Sequence, residues 1–89
     1  MTLDYQKTFS KDLLRIKDRT LLQRVKETIL DVERAHQLDE IPHLKKLAPS
    51  KDAYRIRVGD YRIGITISGN IVSFVRFLHR KEIYRHFPL

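Results

Sequence analysis

Residues 53–67 read AYRIRV-GD-YRIGITI. In the first run Tyr54, Ile56 and Val58 alternate with Arg55 and Arg57; in the second, Tyr61, Ile63, Ile65 and Ile67 alternate with Arg62, Gly64 and Thr66. A period of two is the signature of a strand with one face buried. Gly59-Asp60 between the runs is a two-residue hairpin turn, with glycine supplying a positive φ. Such a turn pairs Val58 with Tyr61, Arg57 with Arg62 and Ile56 with Ile63. That register lines the apolar side chains up on one face, and a slip of one residue would undo it. It also places Arg57 and Arg62 directly opposite each other, with Arg55 two residues along.

Working outward, residues 71–78 (IVSFVRFL) form a further strand, reached through Ser68-Gly69-Asn70. A three-residue turn there puts Val72, Phe74 and Arg76 on the arginine face; a two-residue turn puts Ile71, Val75 and Phe77 there. The sequence leaves both open. Upstream, Phe9, Leu13 and Ile16 predict a helix over 8–16 with Thr8 as N-cap. Leu21, Val25, Ile29 and Val32 predict a second helix over 18–35, capped by Asp18. The joint is very short, so the two helices form an antiparallel hairpin. Residues 2–6 alternate weakly, as a short strand. Residues 35–53 connect, with HLKKL extended, and HRKEIYRHF ends the chain in a helical turn. The expected order is β-α-α-β-β-β plus a short C-terminal helical element. This is an α+β fold, a single domain over 1–89, with the helical hairpin packed on one face of a small antiparallel sheet.

Composition narrows the function. The chain has 89 residues and no cysteine, which excludes a disulfide scaffold and a thiolate zinc site. No apolar run is long enough for a membrane span and the first residues lack a signal-peptide core, so a cytoplasmic protein without a membrane partner is expected. Residues 1–40 carry 8 basic and 8 acidic side chains, whereas residues 41–89 carry 10 basic and 3 acidic ones. The whole excess of +7 lies in the second part. A localised excess of this kind suits a polyanion.

Like charges facing each other across a sheet are destabilising. The nearby acids in sequence are Asp52, Asp60 and Glu82 alone. An external phosphate, which the guanidinium fork recognises well, would favour gathering Arg55, Arg57 and Arg62 on one face. The alternative is three side chains fanning into solvent. After the last strand, HRKEIYRH combines His79, which titrates closest to neutrality, with the cations Arg80 and Lys81 and the phenol of Tyr84. Cleaving RNA without a metal needs a proton acceptor for the 2′-hydroxyl, cations for the phosphorane and a donor for the leaving 5′-oxygen. His36 and His43 lie in the loop region without a metal-ligand pattern. No HExxH, glycine-rich phosphate loop or serine elbow is present, so no metal site and no cofactor is expected.

HLKKL, AYRIRVGDYRIGI and the ending HRKEIYR together resemble the RelE/ParE superfamily of toxins from type II toxin–antitoxin modules, over nearly the whole chain. The resemblance implies a microbial-RNase-like fold. For the RelE branch it implies a ribosome-dependent endoribonuclease that cuts mRNA in the ribosomal A site, leaving a 2′,3′-cyclic phosphate and a 5′-hydroxyl. By that likeness Arg62 stabilises the transition-state charge and Tyr84 stacks on the substrate base. Arg55 and Arg57 stand where the best-known members have lysines, one of them proposed as general base. An arginine stays protonated and makes a poor base, so either His79 is the base or substrate and cations together handle proton removal, and Arg80 or His79 is the candidate acid. Lys45, Lys46, Lys51 and Lys81 join Arg55 and Arg57 in gripping RNA. The family also implies an acidic antitoxin, disordered until bound, and operator DNA reached only through the antitoxin complex. A ParE-type inhibitor of DNA gyrase and a non-catalytic RNA- or ribosome-binding module are the alternatives.

Overall fold

The computed structural model describes residues 1–88. Its elements are β1 (Thr2–Tyr5), α1 (Lys7–Leu14), α2 (Arg19–Arg34), a short 3-10 turn (Leu38–Glu40), β2 (Leu44–Lys46), β3 (Ala53–Val58), β4 (Tyr61–Ser68), β5 (Ile71–His79) and α3 (Ile83–His86). The five strands form one sheet in the order β1-β5-β4-β3-β2. The mixed α+β architecture is the expected one, with two differences. HLKKL pairs as a true strand, β2 against β3. And β1 joins the far edge parallel to β5, so the sheet is not wholly antiparallel.

The β3–β4 hairpin has the register its alternation demands: Val58 pairs with Tyr61, Arg57 with Arg62 and Ile56 with Ile63. Gly59 takes φ 59°, and a glycine at the first of two central positions suits a type II′ turn, whose twist matches that of the strands. The next turn has two residues, pairing Ser68 with Ile71. Its alternation holds as far as Ile65 with Phe74, and then β5 bulges. Gly64 pairs with Arg76, leaving Val75 as the extra residue. A bulge reverses the facing of everything beyond it. Phe77 therefore turns away from the arginine face into the core, where it is 1% exposed.

The main core lies between the helices and one face of the sheet. Phe9 of α1 and Val25 and Val32 of α2 meet Ile56, Val58, Ile63, Ile65, Val72, Phe74 and Phe77. Phe9 and Phe74 pack with ring centroids 5.4 Å apart; truncating a buried phenylalanine of this kind costs about 3–5 kcal/mol. Asp18 caps α2, accepting from the Leu21 N–H at 3.1 Å. Thr8 is not the cap of α1. The helix begins one residue earlier, behind Gln6, and the Thr8 hydroxyl donates instead to the Val75 carbonyl at 2.6 Å.

That bond is half of an edge repair. β1 stops at Tyr5, opposite Phe74, so the rest of β5 has no strand on that side. α1 takes the place of one. Asp12, 5% exposed, accepts from the Phe77 N–H at 2.9 Å and from Arg76 Nε at 2.8 Å and Nη2 at 3.1 Å. Arg76 is thus neutralised by a carboxylate from a distant helix.

A second, smaller cluster sits on the opposite face, where Ile83 and Phe87 cover Ala53, with Leu47, Val75 and Leu78 packed against them. Gly64 makes this possible: a Cβ there would fall 2.6 Å from Phe87 Cδ2. The missing side chain lets α3 settle on the sheet beside the arginines.

Candidate nucleic-acid interface

Strand pairing puts Lys45, Arg55 and Gly64 in one row across the sheet, and Arg57, Arg62 and Leu78 in the next. This is the face on which α3 rests. Arg62 is its centre. Burial, then the charges of Arg55, Arg57 and Arg80, push the Arg62 guanidinium below its ordinary range, while the Tyr84 phenol opposes the shift. Arg57 is the cross-strand partner of Arg62, and Arg55 lies two residues along on the same face. A bound anion would cancel the repulsion.

Each cation reaches its place by a local device. The Arg62 Nη1 donates to the Gly59 and Tyr61 carbonyls, both at 2.9 Å, folding the guanidinium over its own hairpin turn. Arg80 is exposed; its backbone N–H donates to the Asp60 carbonyl at 2.7 Å, tying the end of β5 to the hairpin tip. Arg55 Nη1 donates to the His43 carbonyl at 2.8 Å, and Arg57 Nη2 lies 3.3 Å from His43 Nδ1. Tyr84, on α3, is 57% exposed. Among the described residues, Arg76 and Arg85 are the arginines with a carboxylate at salt-bridge distance. Carbonyls and an imidazole, not acids, hold the cluster, so its charge remains available to a ligand.

The lysines divide. Lys45 shares a face with Arg55, and Lys45 and Lys46 together with Leu47, Pro49, Tyr84 and Phe87 line a cavity of about 520 Å3 beside the cluster. Lys51 and Lys81 are exposed, in the loop before β3 and in the turn after β5.

His79 is not brought to the cluster. It pairs with Tyr61, on the helix face, its ring edge-on to the Tyr61 ring at 5.4 Å. Its Nδ1 accepts from the Lys81 N–H at 3.1 Å, and it lines a cavity with Asp12, Arg15 and Glu82. The bulge at Val75 is the cause. Without it the alternation from Ile71 would carry His79 onto the arginine face. The residue the sequence reading passed over is His43, which touches two of the cluster's arginines; nothing in the order Pro42-His43-Leu44 signals a contact made 14 residues away. Arg24 was also missed. From α2 it reaches the hairpin tip, its Nη1 2.9 Å from where a Gly59 Cβ would lie.

Unpaired guanidiniums beside an exposed aromatic ring suit a phosphodiester strand: the forks take phosphate oxygens and the ring takes a base. No helix among the described residues is long and apolar enough to cross a membrane.

Comparison with known proteins gives a consistent picture. Residues 3–84 match the family described as the ParE toxin of the type II toxin–antitoxin system parDE. The chain is 39% identical over 89 residues to Toxin RelE3 of Methanocaldococcus jannaschii, covering 99% of this chain and 100% of the relative. Among solved structures, it superposes on a chain of the RelB–RelE antitoxin–toxin complex from Methanococcus jannaschii with a TM-score of 0.80 at 39% identity, covering 96% of this chain and 99% of that one. The archaeal RelE–RelB complex from Pyrococcus horikoshii has a TM-score of 0.73 at 21% identity, over 92% and 97% of the two chains, a likeness of fold.

Proposed function

Because this chain belongs to the RelE/ParE family of type II toxin–antitoxin toxins, we propose that it is a RelE-type endoribonuclease that cuts mRNA in the ribosomal A site and so stops translation. The observation that carries this reading is the pairing of Arg57 with Arg62 across the hairpin, with Arg55 on the same face and none of the three within salt-bridge distance of a carboxylate among the described residues.

In this reaction the 2′-oxygen attacks phosphorus, the P–O5′ bond breaks, and the products carry a 2′,3′-cyclic phosphate and a 5′-hydroxyl. Arg62 stabilises the charge that develops on the phosphorane oxygens. Arg80 donates to the departing 5′-oxygen, and the 2′-hydroxyl proton leaves to water or a phosphate oxygen. Tyr84 stacks on the base next to the cut. Arg55, Arg57, Lys45 and Lys46 hold the flanking backbone, with Lys51 and Lys81 reaching to more distant phosphates. His79 takes no part, since it lies on the other face of the sheet.

The partners follow from the same reading. The ribosome and its mRNA are the targets, which places the protein in the cytoplasm. The archaeal relatives are complexes of RelE with RelB antitoxin, and an acidic antitoxin that neutralises the arginine face is the expected regulator here. Operator DNA is met only through that complex. The experiment is incubation of the purified chain with programmed ribosomes and mapping of mRNA ends. A second reading, inhibition of DNA gyrase, has the name of the matched family in its favour; intact mRNA together with inhibited supercoiling would select it.

A further inference from the structure

His43 sits just ahead of β2 with a left-handed backbone, φ 63°. Side chains with a Cβ seldom adopt that region, although histidine is among those that visit it more often. Its carbonyl accepts from Arg55 Nη1 at 2.8 Å and from the Arg57 backbone N–H at 3.4 Å. Its ring Nδ1 lies 3.3 Å from Arg57 Nη2. Arg55 and Arg57 both face away from the core, and one residue of a neighbouring loop holds both. We propose that His43 is a positioning residue: its carbonyl fixes the Arg55 guanidinium and its neutral imidazole fixes that of Arg57, so that the pair meets an RNA backbone already ordered.

This inference rests on the nuclease reading and deepens it. Two arginine side chains that are free before binding must be ordered by the ligand, at its expense in affinity; two that are held beforehand need not be. The ring works only in one protonation state, because Nδ1 accepts from Arg57 only when it carries no proton. A protonated ring would present N–H to N–H and break the hold. The charged groups around it are Arg55 and Arg57 from β3 and Lys45 from β2, and Arg24, Glu27 and Asp31 from α2 across an adjoining cavity. Acidification therefore releases Arg57 while the carbonyl keeps Arg55.

The test uses the full chain on programmed ribosomes under single-turnover conditions, over a range of pH. His43→Gly removes the ring and keeps the left-handed backbone, and with it the carbonyl. It should slow cleavage about tenfold, the scale of one charge-assisted hydrogen bond. His43→Asn, which tolerates the same backbone and offers an oxygen, should restore most of the rate and lose the wild type's decline in acid. In an Arg57→Ala background His43→Gly should add nothing. An equal loss with and without Arg57, or the same acid decline in wild type and His43→Asn, would overturn the proposal.

If the wild type cuts nothing, the nuclease reading fails separately, and 15N spectroscopy of the free protein decides the contact. The ring should then be neutral with its proton on Nε2, and His43→Gly should shift the Arg57 side-chain resonances. A proton on Nδ1 at neutral pH, or Arg57 resonances unmoved, would contradict it.

Discussion

Arg57 and Arg62 are Cα partners across the β3–β4 hairpin, and neither has a carboxylate at salt-bridge distance among the described residues. Opposed like charges in a sheet cost a few tenths of a kcal/mol to about 1 kcal/mol. The apolar faces enforce the pairing: slipping β4 by one residue would expose Ile63 and Ile65, both now fully buried. The arginines are brought together by the core beneath them, and the repulsion that results is what the RNA phosphate of the proposed reaction would relieve.

Tyr84 is exposed, so Tyr84→Ala should leave stability within about 0.5 kcal/mol. Loss of base stacking, about 1–3 kcal/mol, should slow mRNA cleavage roughly ten- to a hundredfold. Thermal melting and single-turnover cleavage measure the two effects separately.

Gly64→Ala puts a methyl group 2.6 Å from Phe87 Cδ2. Phe87 must move, and α3 with it. Destabilisation of about 1–3 kcal/mol in urea is expected, together with slower cleavage, since Tyr84 rides on α3.

Asp12→Ala removes the acceptor for both Arg76 and the Phe77 N–H. Breaking a partly buried pair of this kind costs about 2–3 kcal/mol, because Arg76 retains some access to water. Denaturant unfolding should show a lower midpoint, and cleavage measured well below that midpoint should be nearly normal, since Asp12 lies outside the arginine face.

His79→Ala should do the reverse of what the sequence suggests. It loses one acceptor for the Lys81 N–H, at a cost of about 1 kcal/mol, and should keep its cleavage rate within about twofold. A loss as large as that of Arg62→Ala would return His79 to the catalytic group.

The contrast shows where sequence reading succeeds and where it stops. Val58, Gly59, Asp60 and Tyr61 fix their own pairing, because turn length and alternation are local properties. The α2 cap at Asp18 is legible for the same reason. The bulge at Val75 is not. It depends on how β5 meets Gly64 and Ile65 from the neighbouring strand, and it decides that Phe77 and His79 face the helices. The parallel pairing of β1 with β5 joins residues some 69 positions apart, and no local pattern encodes it. His43 reads only as a loop histidine, because its contacts are set by a backbone conformation and by partners on another strand. Arg62 was found through alternation and family likeness, Tyr84 through family likeness and the ending HRKEIYR, and α3 settles on the arginine face only because Gly64 is bare.

Ribosomes programmed with a defined mRNA, mixed with the wild-type chain and with Arg62→Ala, probe the central claim directly. The wild type should produce A-site cuts ending in 2′,3′-cyclic phosphate, and the folded Arg62→Ala variant should cut slower by about two to three orders of magnitude, the loss of roughly 3 kcal/mol of transition-state stabilisation. Intact mRNA with the wild type, or equal cutting by both, would contradict the account.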